Sequence, residues 1–257
     1  MTQGQHRFSR AELMIGQEGL DKLNRGRVAV IGLGGVGAYA VEALARAGVG
    51  WLILVDFDEI CLTNTNRQIH ALEGNYGKAK ATVMAERVKA INPDAVVVSW
   101  KEFLTAENIE TLLHGNISYV IDAIDTVYSK VALITYCIEH GIPVISSMGT
   151  GNKFDPFALR ITDISKTHTC PLAKSVRKVL REKGITAGVK VLFSSECPVE
   201  PKEGVVTCHG GCICQHRDDE VWNCAKRRQI PGSTSYLPPI AGLMIAGEVI
   251  QDLLKKD

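Results

Sequence analysis

The chain has 257 residues, 46% of them hydrophobic and 22% charged, with a formal net charge of +1 at pH 7. That length can bury a full core, as one large α/β domain or one domain with an appendage. The charge is too nearly balanced to present a global field to nucleic acid or membrane, so a polyanionic partner must meet a local patch.

Met1-Thr-Gln-Gly-Gln-His6 lacks an apolar signal region. The longest apolar run, Ile240 to Ile250, is interrupted by Gly247-Glu248 and is too short to span a bilayer, so a buried helix and no membrane span are expected. With eight cysteines and no export signal, the expected compartment is the reducing cytoplasm.

Arg7-Phe-Ser-Arg10 precedes a short amphipathic segment, Ala11 to Asn24, with Leu13, Ile15, Leu20 and Leu23 as its apolar positions. Taken alone, Arg10 reads as a solvated arginine on a surface helix. Val28-Ala-Val-Ile31 then reads as a buried strand. Gly32-x-Gly34-x-x-Gly37, with Gly35 inside it, makes a tight turn into an Ala-rich helix, and Trp51-Leu-Ile-Leu-Val55 is a second strand closed by Asp56. Strand, glycine turn, helix, strand and acid form the fingerprint of a nucleotide-binding βαβ unit. Its glycines let the backbone approach a phosphate, and the helix N-terminus offers unpaired N–H groups.

The segment after Asp56 reads Phe57-Asp58-Glu-Ile-Cys-Leu-Thr-Asn64-Thr-Asn66-Arg67-Gln68. A nicotinamide enzyme needs the acid on its ribose and nothing particular afterwards. Here two amides and an arginine follow where a loop reaches the phosphate side of the crevice, and Arg grips phosphate oxygens bidentately while Asn donates to them. Gly77-Lys78-Ala-Lys80 opens a helix to Ile91, stopped by Asn92-Pro93. Lys80 in the first turn opposes the helix dipole, which an anionic ligand would explain; Lys78 is its local competitor.

Ala95 to Ser99 is a third strand, Ala106 to His114 a polar-faced helix, and Tyr119-Val-Ile-Asp122-Ala-Ile-Asp125 a fourth strand with its carboxyl end. Open α/β sheets bind ligands there. Mg²⁺ is typically held by one or two carboxylates plus substrate phosphates, a role open to Asp125, with Asp122 read as structural. The bland alternative is that Asp125 caps the helix starting near Ser129. Ser129 to His140 is helical, Pro143 to Ser146 a fifth strand, and Met148-Gly-Thr-Gly151 crosses the sheet's open end, where its glycines either admit a substrate or turn the chain. Phe157 to Ile164 is a further strand, outside the nucleotide half.

Pro171 begins another helix on which Lys174, Arg177, Lys178 and Arg181 share one face. That stripe is either a contact for an RNA backbone or a solvated face; Lys226-Arg-Arg228 is a second basic patch. Val189 to Ser195 is a strand, residues 198–234 form a long Pro- and Gly-broken loop, and Ile240 to Lys255 is a final helix with a small-residue face. Within the loop, Cys208, Cys212, Cys214 and Cys224 offer thiolates suited to Zn²⁺, with free thiols or a redox pair as alternatives. Cys197 and Cys170 lack a flanking group that would lower their pKa and stay outside the catalytic set.

The block from Asp56 to Gln68 resembles the signature of the ubiquitin-activating-enzyme-like superfamily, which adenylates carboxylates. The likeness spans residues 7–165, with a second match near the C-terminus. Within it the tRNA threonylcarbamoyladenosine dehydratases look closest, on Arg7-Phe-Ser-Arg10, Ile121-Asp-Ala-Ile-Asp-Thr126, Lys166-Thr, Pro171-Leu-Ala-Lys174 and Gly232-Ser-Thr-Ser-Tyr-Leu-Pro-Pro-Ile-Ala-Gly242. The resemblance implies a Rossmann-like doubly wound α/β fold: a mainly parallel sheet with helices on both faces and a substrate-side extension. It divides the chain into an adenylation domain over 1–165 and an extension over 166–257 whose last helix packs back on the core.

It further implies ATP and Mg²⁺. Asp56 would hold the ribose, with Asp58 and Asn64 beside it; Asn66, Arg67 and Lys80 would take the phosphates and Asp125 the metal. Arg10 would reach across a homodimer to the partner's ATP. Implied partners are tRNA and a cysteine desulfurase or sulfur-acceptor system. The alternatives are adenylation of a small sulfur-carrier protein's C-terminal glycine and, from another class, a nicotinamide-dependent oxidoreductase.

Overall fold

Alternation along two short apolar strands builds the centre of the molecule. In the computed structural model, which describes residues 4–202 and 231–255, β1 (Arg27–Ile31) sends Val28 and Val30 to one face of the sheet and Ala29 and Ile31 to the other. In β2 (Trp51–Val55), Leu52 and Leu54 likewise oppose Ile53 and Val55. Strands apolar on both faces belong in a parallel sheet covered by helices on each side. The remaining strands are β3 (Val96–Trp100), β4 (Tyr119–Asp122), β5 (Val144–Ser147), β6 (Leu159–Asp163) and β7 (Lys190–Ser194). They form one seven-stranded sheet in the order β3-β2-β1-β4-β5-β7-β6. All neighbours are parallel except β6, which runs antiparallel to β7 at the edge.

The helices are α1 (Ser9–Arg25), α2 (Gly37–Ala47), α3 (Lys80–Ile91), α4 (Ile109–Leu112), α5 (Val127–Glu139), α6 (Pro171–Glu182) and α7 (Leu237–Lys255). Residues of α2, α3 and α7 cover one face of the sheet, including Val41, Leu44, Met84, Ile245 and Val249. Leu112 of α4 with Leu133 and Cys137 of α5 cover the other. A third cluster joins α5 to α6 and β7 through Ile134, Val176, Leu180 and Val191. A Cβ on Gly242 of α7 would lie 2.2 Å from Val36 O, so the close approach of α7 to the start of α2 depends on glycine there. Within α7, 18 residues reach a mean hydropathy of 1.3, which by length and composition alone is enough to cross a membrane. Half of that window is buried against the protein, the setting of a core helix.

Three elements differ from the sequence expectation. Gly16, at φ 67°, breaks α1. Leu20 and Leu23 on its second half are buried, while Leu13 on its first half stays exposed. The expected helix over 106–114 contracts to the single turn of α4, whose entry is tied by Asn108 Oδ1 accepting from Thr105 N–H at 2.8 Å. Helix α3 starts at Lys80 rather than Gly77, because Gly77 takes φ 83° and Ala79 pairs with Glu59 in an isolated antiparallel bridge.

Candidate active site

Strand order reverses between β1 and β4, and the loops leaving both strands frame the crevice at their carboxyl ends. The glycine turn is fixed by steric fit. Gly32 sits at φ 89°, and a Cβ there would lie 2.7 Å from Ala123 O in the loop after β4. A Cβ on Gly37 would lie 1.8 Å from Gly32 O, so no side chain fits at either position. Gly35 is covered by Arg67 Cγ and Pro238 Cβ, 3.2 and 2.9 Å from where its Cβ would be. Gly34 is the open one, with only Gln68 Nε2 within reach, at 3.8 Å. A backbone bared at that point, beside Arg67 and leading into α2, is suited to a phosphate.

Asp56 ends β2 and is buried. Its Oδ2 accepts from Leu33 N–H at 2.6 Å and its Oδ1 from Asp58 N–H at 2.8 Å, so it ties the glycine turn to the loop after β2. Burial raises its pKa against the opposing pull of Lys80. Lys80, only 4% exposed, donates to Asp58 Oδ2 at 2.7 Å. Burial alone would push its ammonium down; Asp56 and Asp58 outweigh that and hold it above the usual lysine value. Arg67 acts on the same ammonium from nearby and donates to Thr63 O and Asn66 Oδ1. The structure therefore brings Asp56, Asp58, Arg67 and Lys80 into one cluster against the glycine turn. Lys78, the competitor for Lys80, points instead to Asn75 Oδ1 at 3.2 Å.

The two amides do separate jobs. Asn64 is buried and its Oδ1 accepts from Cys61 N–H, closing a 3-10 turn. Asn66 is exposed and donates to Ser233 O at 3.0 Å, joining the loop after β2 to the approach to α7. Asp125 is exposed three residues beyond the end of β4, with Thr126 Oγ1 at 3.4 Å. An exposed carboxylate at this end of the sheet fits a Mg²⁺ shared with substrate phosphates, a mode needing no further protein ligand. Among the described residues no group of three or more His, Cys, Asp or Glu could hold a metal ion by itself. Arg10 is exposed on the first turn of α1.

Asp122 has a structural place. Lys130 lies eight residues along the chain on α5, and the two form an ion pair at 2.8 Å with neither side chain exposed. Ser146 Oγ donates to the same carboxylate at 2.6 Å, and Lys130 also donates to Ser147 O, so the pair bolts α5 and β5 to the end of β4. The sequence reading passed over Lys130, although a lysine among the apolar residues of a helix was its available signal. It also passed over Lys153, likewise buried, and His70, 1% exposed with both ring nitrogens unpartnered among the described residues. Burial, reinforced by Lys80 and Arg87, takes the His70 pKa down to about 3.

On α6, Lys174, Lys178 and Arg181 are exposed. Arg177 is only half-buried and its Nη1 donates to Thr167 O at 2.7 Å and to Thr167 Oγ1, so it anchors the turn before α6 as well as sharing the basic face. Cys208, Cys212, Cys214 and Cys224, with Lys226-Arg-Arg228, lie outside the described residues. Cys170 is buried at the start of α6 and Cys197 is exposed.

Strand order, glycine turn and the cations beside it define a Rossmann-like nucleotide-binding protein. The chain belongs to the ThiF family, whose model matches residues 8–257. It is 47% identical over 250 residues to the tRNA threonylcarbamoyladenosine dehydratase of Bacillus subtilis, covering 97% of this chain and 95% of that protein. Among solved structures it resembles the Escherichia coli tRNA N6-threonylcarbamoyladenosine dehydratase in complex with ATP, at a TM-score of 0.82 and 35% identity, over 96% of this chain and 93% of that one. The same enzyme in complex with AMP gives a TM-score of 0.81 and 36% identity, over 96% and 94% of the two chains.

Proposed function

We propose that this chain is an ATP-dependent tRNA threonylcarbamoyladenosine dehydratase, acting on the modified adenosine at position 37. The observation that carries the reading is the pairing of Arg67 and Lys80 beside the open side of the glycine turn, in a chain like these dehydratases almost from end to end. A carboxylate is a poor electrophile, and transfer of AMP to it creates a good leaving group. One threonyl carboxylate oxygen attacks the α-phosphorus of ATP, and the bond to the bridging oxygen breaks to release pyrophosphate. The adenine N6 nitrogen, on the far side of the carbamoyl carbonyl from the threonine, then attacks the acyl carbon, the C–O bond to AMP breaks, and N6 gives its proton to solvent. The product is a ring, with net loss of water.

The protein's part is positioning and charge neutralisation. Gly34 and the start of α2 receive phosphate oxygens; Arg67 and Lys80 hold the negative charge that builds on the leaving pyrophosphate. Asp56, already bonded to two backbone N–H groups, keeps lone pairs on each oxygen for a ribose hydroxyl, with Asp58 and Asn64 shaping the loop beside it. Asp125 would hold Mg²⁺, which when bound screens the phosphate charges. Arg10, exposed on α1, would reach the ATP of a second copy in a homodimer. The exposed Lys174, Lys178 and Arg181 would meet tRNA phosphates. Zinc at Cys208, Cys212, Cys214 and Cys224, supported by the clustering of four thiols that suit it, a sulfur-acceptor partner and a cytoplasmic setting complete the proposal.

The test is to incubate the protein with ATP–Mg²⁺ and tRNA bearing threonylcarbamoyladenosine, then analyse the nucleosides by mass. A product lighter by one water, formed with AMP, is expected. No conversion of that tRNA, with adenylate formed instead on a protein ending in Gly-Gly, would move the chain to the sulfur-carrier reading. NADH binding in place of ATP would move it to the oxidoreductases.

A further inference from the structure

The loop between β5 and β6 crosses the carboxyl end of the sheet next to the nucleotide crevice, and it is pinned at every side. Met148 N–H donates to Leu192 O at 2.7 Å. Asn152, held at φ 58°, exchanges two backbone bonds, with its N–H going to Gly232 O and its carbonyl accepting from Val199 N–H. Its Oδ1 also accepts from Gly232 N–H at 2.6 Å. A non-glycine residue held in the left-handed region by three bonds marks a loop whose shape the surroundings impose.

Between these anchors, the N–H groups of Gly149, Thr150 and Gly151 donate to nothing among the described residues. Half-buried backbone donors left unpaired are costly unless a ligand or water takes them. Lys153 follows in the same loop, 1% exposed. Its Nζ donates to Gly149 O at 3.2 Å and Ser194 O at 3.3 Å, and among the described residues no carboxylate lies within ion-pair distance. The nearby acid is already engaged, since the Glu196 carboxylate accepts from Phe154 and Asp155 N–H. Burial holds the lysine pKa low, against Cys170, Glu196 and Cys197. A buried ammonium without a carboxylate is expensive to keep in a fold. Three unpaired donors on a pinned loop, with a buried cation bonded to that loop's Gly149 carbonyl, leave the segment lacking one negative charge.

We propose that the main-chain N–H groups of Gly149, Thr150 and Gly151, backed by Lys153, form the subsite for the substrate's carboxylate. The inference rests on the proposed dehydratase reading and adds where the acid group is held while the α-phosphate is brought to it. Lys153 is a positioning residue in this scheme: it braces the Gly149 carbonyl and places positive charge behind the donors, and does not itself touch the carboxylate.

The test uses an anticodon stem-loop carrying threonylcarbamoyladenosine, as the free acid and as its methyl ester, with binding to the full chain followed by fluorescence anisotropy. The acid should bind about tenfold more tightly than the ester, the scale of one charge-assisted contact. In Lys153→Met that ratio should fall to about twofold or less, while ATP affinity is unchanged. Taking the ratio cancels any general loss of attraction for RNA. Should the Met variant fail to fold, Lys153→Gln removes the charge while keeping a polar amide with two N–H donors in place of the ammonium, and its ratio should fall to about threefold. Equal binding of acid and ester by the wild type, or an undiminished ratio in the variant tested, overturns the subsite and leaves the function standing. Failure of both oligonucleotides to bind, with ATP still bound, overturns the function and the subsite together.

Discussion

Lys80 Nζ sits 2.7 Å from Asp58 Oδ2, with the lysine side chain 5% exposed and the aspartate 41% exposed. The cation proposed for the nucleotide phosphates is thus held by a carboxylate at the rim of the crevice, and on that proposal the phosphates would compete with Asp58 for it. Because the folded pKa of Lys80 is raised, its share of stability is fully present below the ordinary lysine value of 10.5 and is lost as pH rises through the higher folded value. It is therefore charged throughout the working range.

Replacing Lys80 by Met should weaken ATP–Mg²⁺ binding by about tenfold or more, the worth of one charge-assisted contact. Isothermal titration checks this; an unchanged affinity would remove Lys80 from the site.

The buried pair of Asp122 and Lys130 makes a separate prediction. Removing one partner leaves the other charge stranded in the core, so Lys130→Met should cost about 3–5 kcal/mol. The double variant Asp122→Leu, Lys130→Met should recover most of that loss. Urea denaturation of the wild type, Lys130→Met, Asp122→Leu and the double variant measures it, and additive losses would show that the pair is not coupled.

His70 should give the fold a pH dependence. Its folded pKa of about 3 lies below the unfolded value of 6.5, so the unfolded chain binds the proton first as pH falls. Stability is full above pH 6.5 and declines toward pH 3. At pH 5 the loss should be about 2 kcal/mol, and His70→Phe should abolish it. Urea midpoints at two pH values decide; an equal slope in the variant would place the sensitivity elsewhere.

Charge reversal at Lys174, Lys178 and Arg181 should weaken tRNA binding and lower the salt slope by about one for each phosphate no longer neutralised. Arg177→Ala should instead loosen the turn at Thr167. Filter binding across a salt series separates the two, and an unchanged slope in the triple variant would make the stripe a solvated face.

What the sequence disclosed was local in character. A strand, its glycine turn and the next strand lie within about thirty residues, and steric fit at Gly32 and Gly37 leaves no other residue type possible, so the pattern survives in the letters. Lys80 was legible because a cation in a first helical turn is anomalous by itself. The Asp122–Lys130 bolt and the buried Lys153 were not, because each depends on burial that strand order creates. β7 enters the sheet between β5 and β6 against chain order, and that crossing is what brings the Ser194 carbonyl within reach of Lys153. The break at Gly16 was missed for a related reason: a glycine within an amphipathic pattern is usually tolerated as helix.

The most direct test of adenylation follows an oxygen atom. With heavy oxygen in the threonyl carboxylate of the tRNA substrate, one turnover with ATP–Mg²⁺ should place the label in AMP, alongside unlabelled pyrophosphate. Label in inorganic phosphate formed with ADP, or no label in any nucleotide product, would show that this crevice does not hand AMP to the acid.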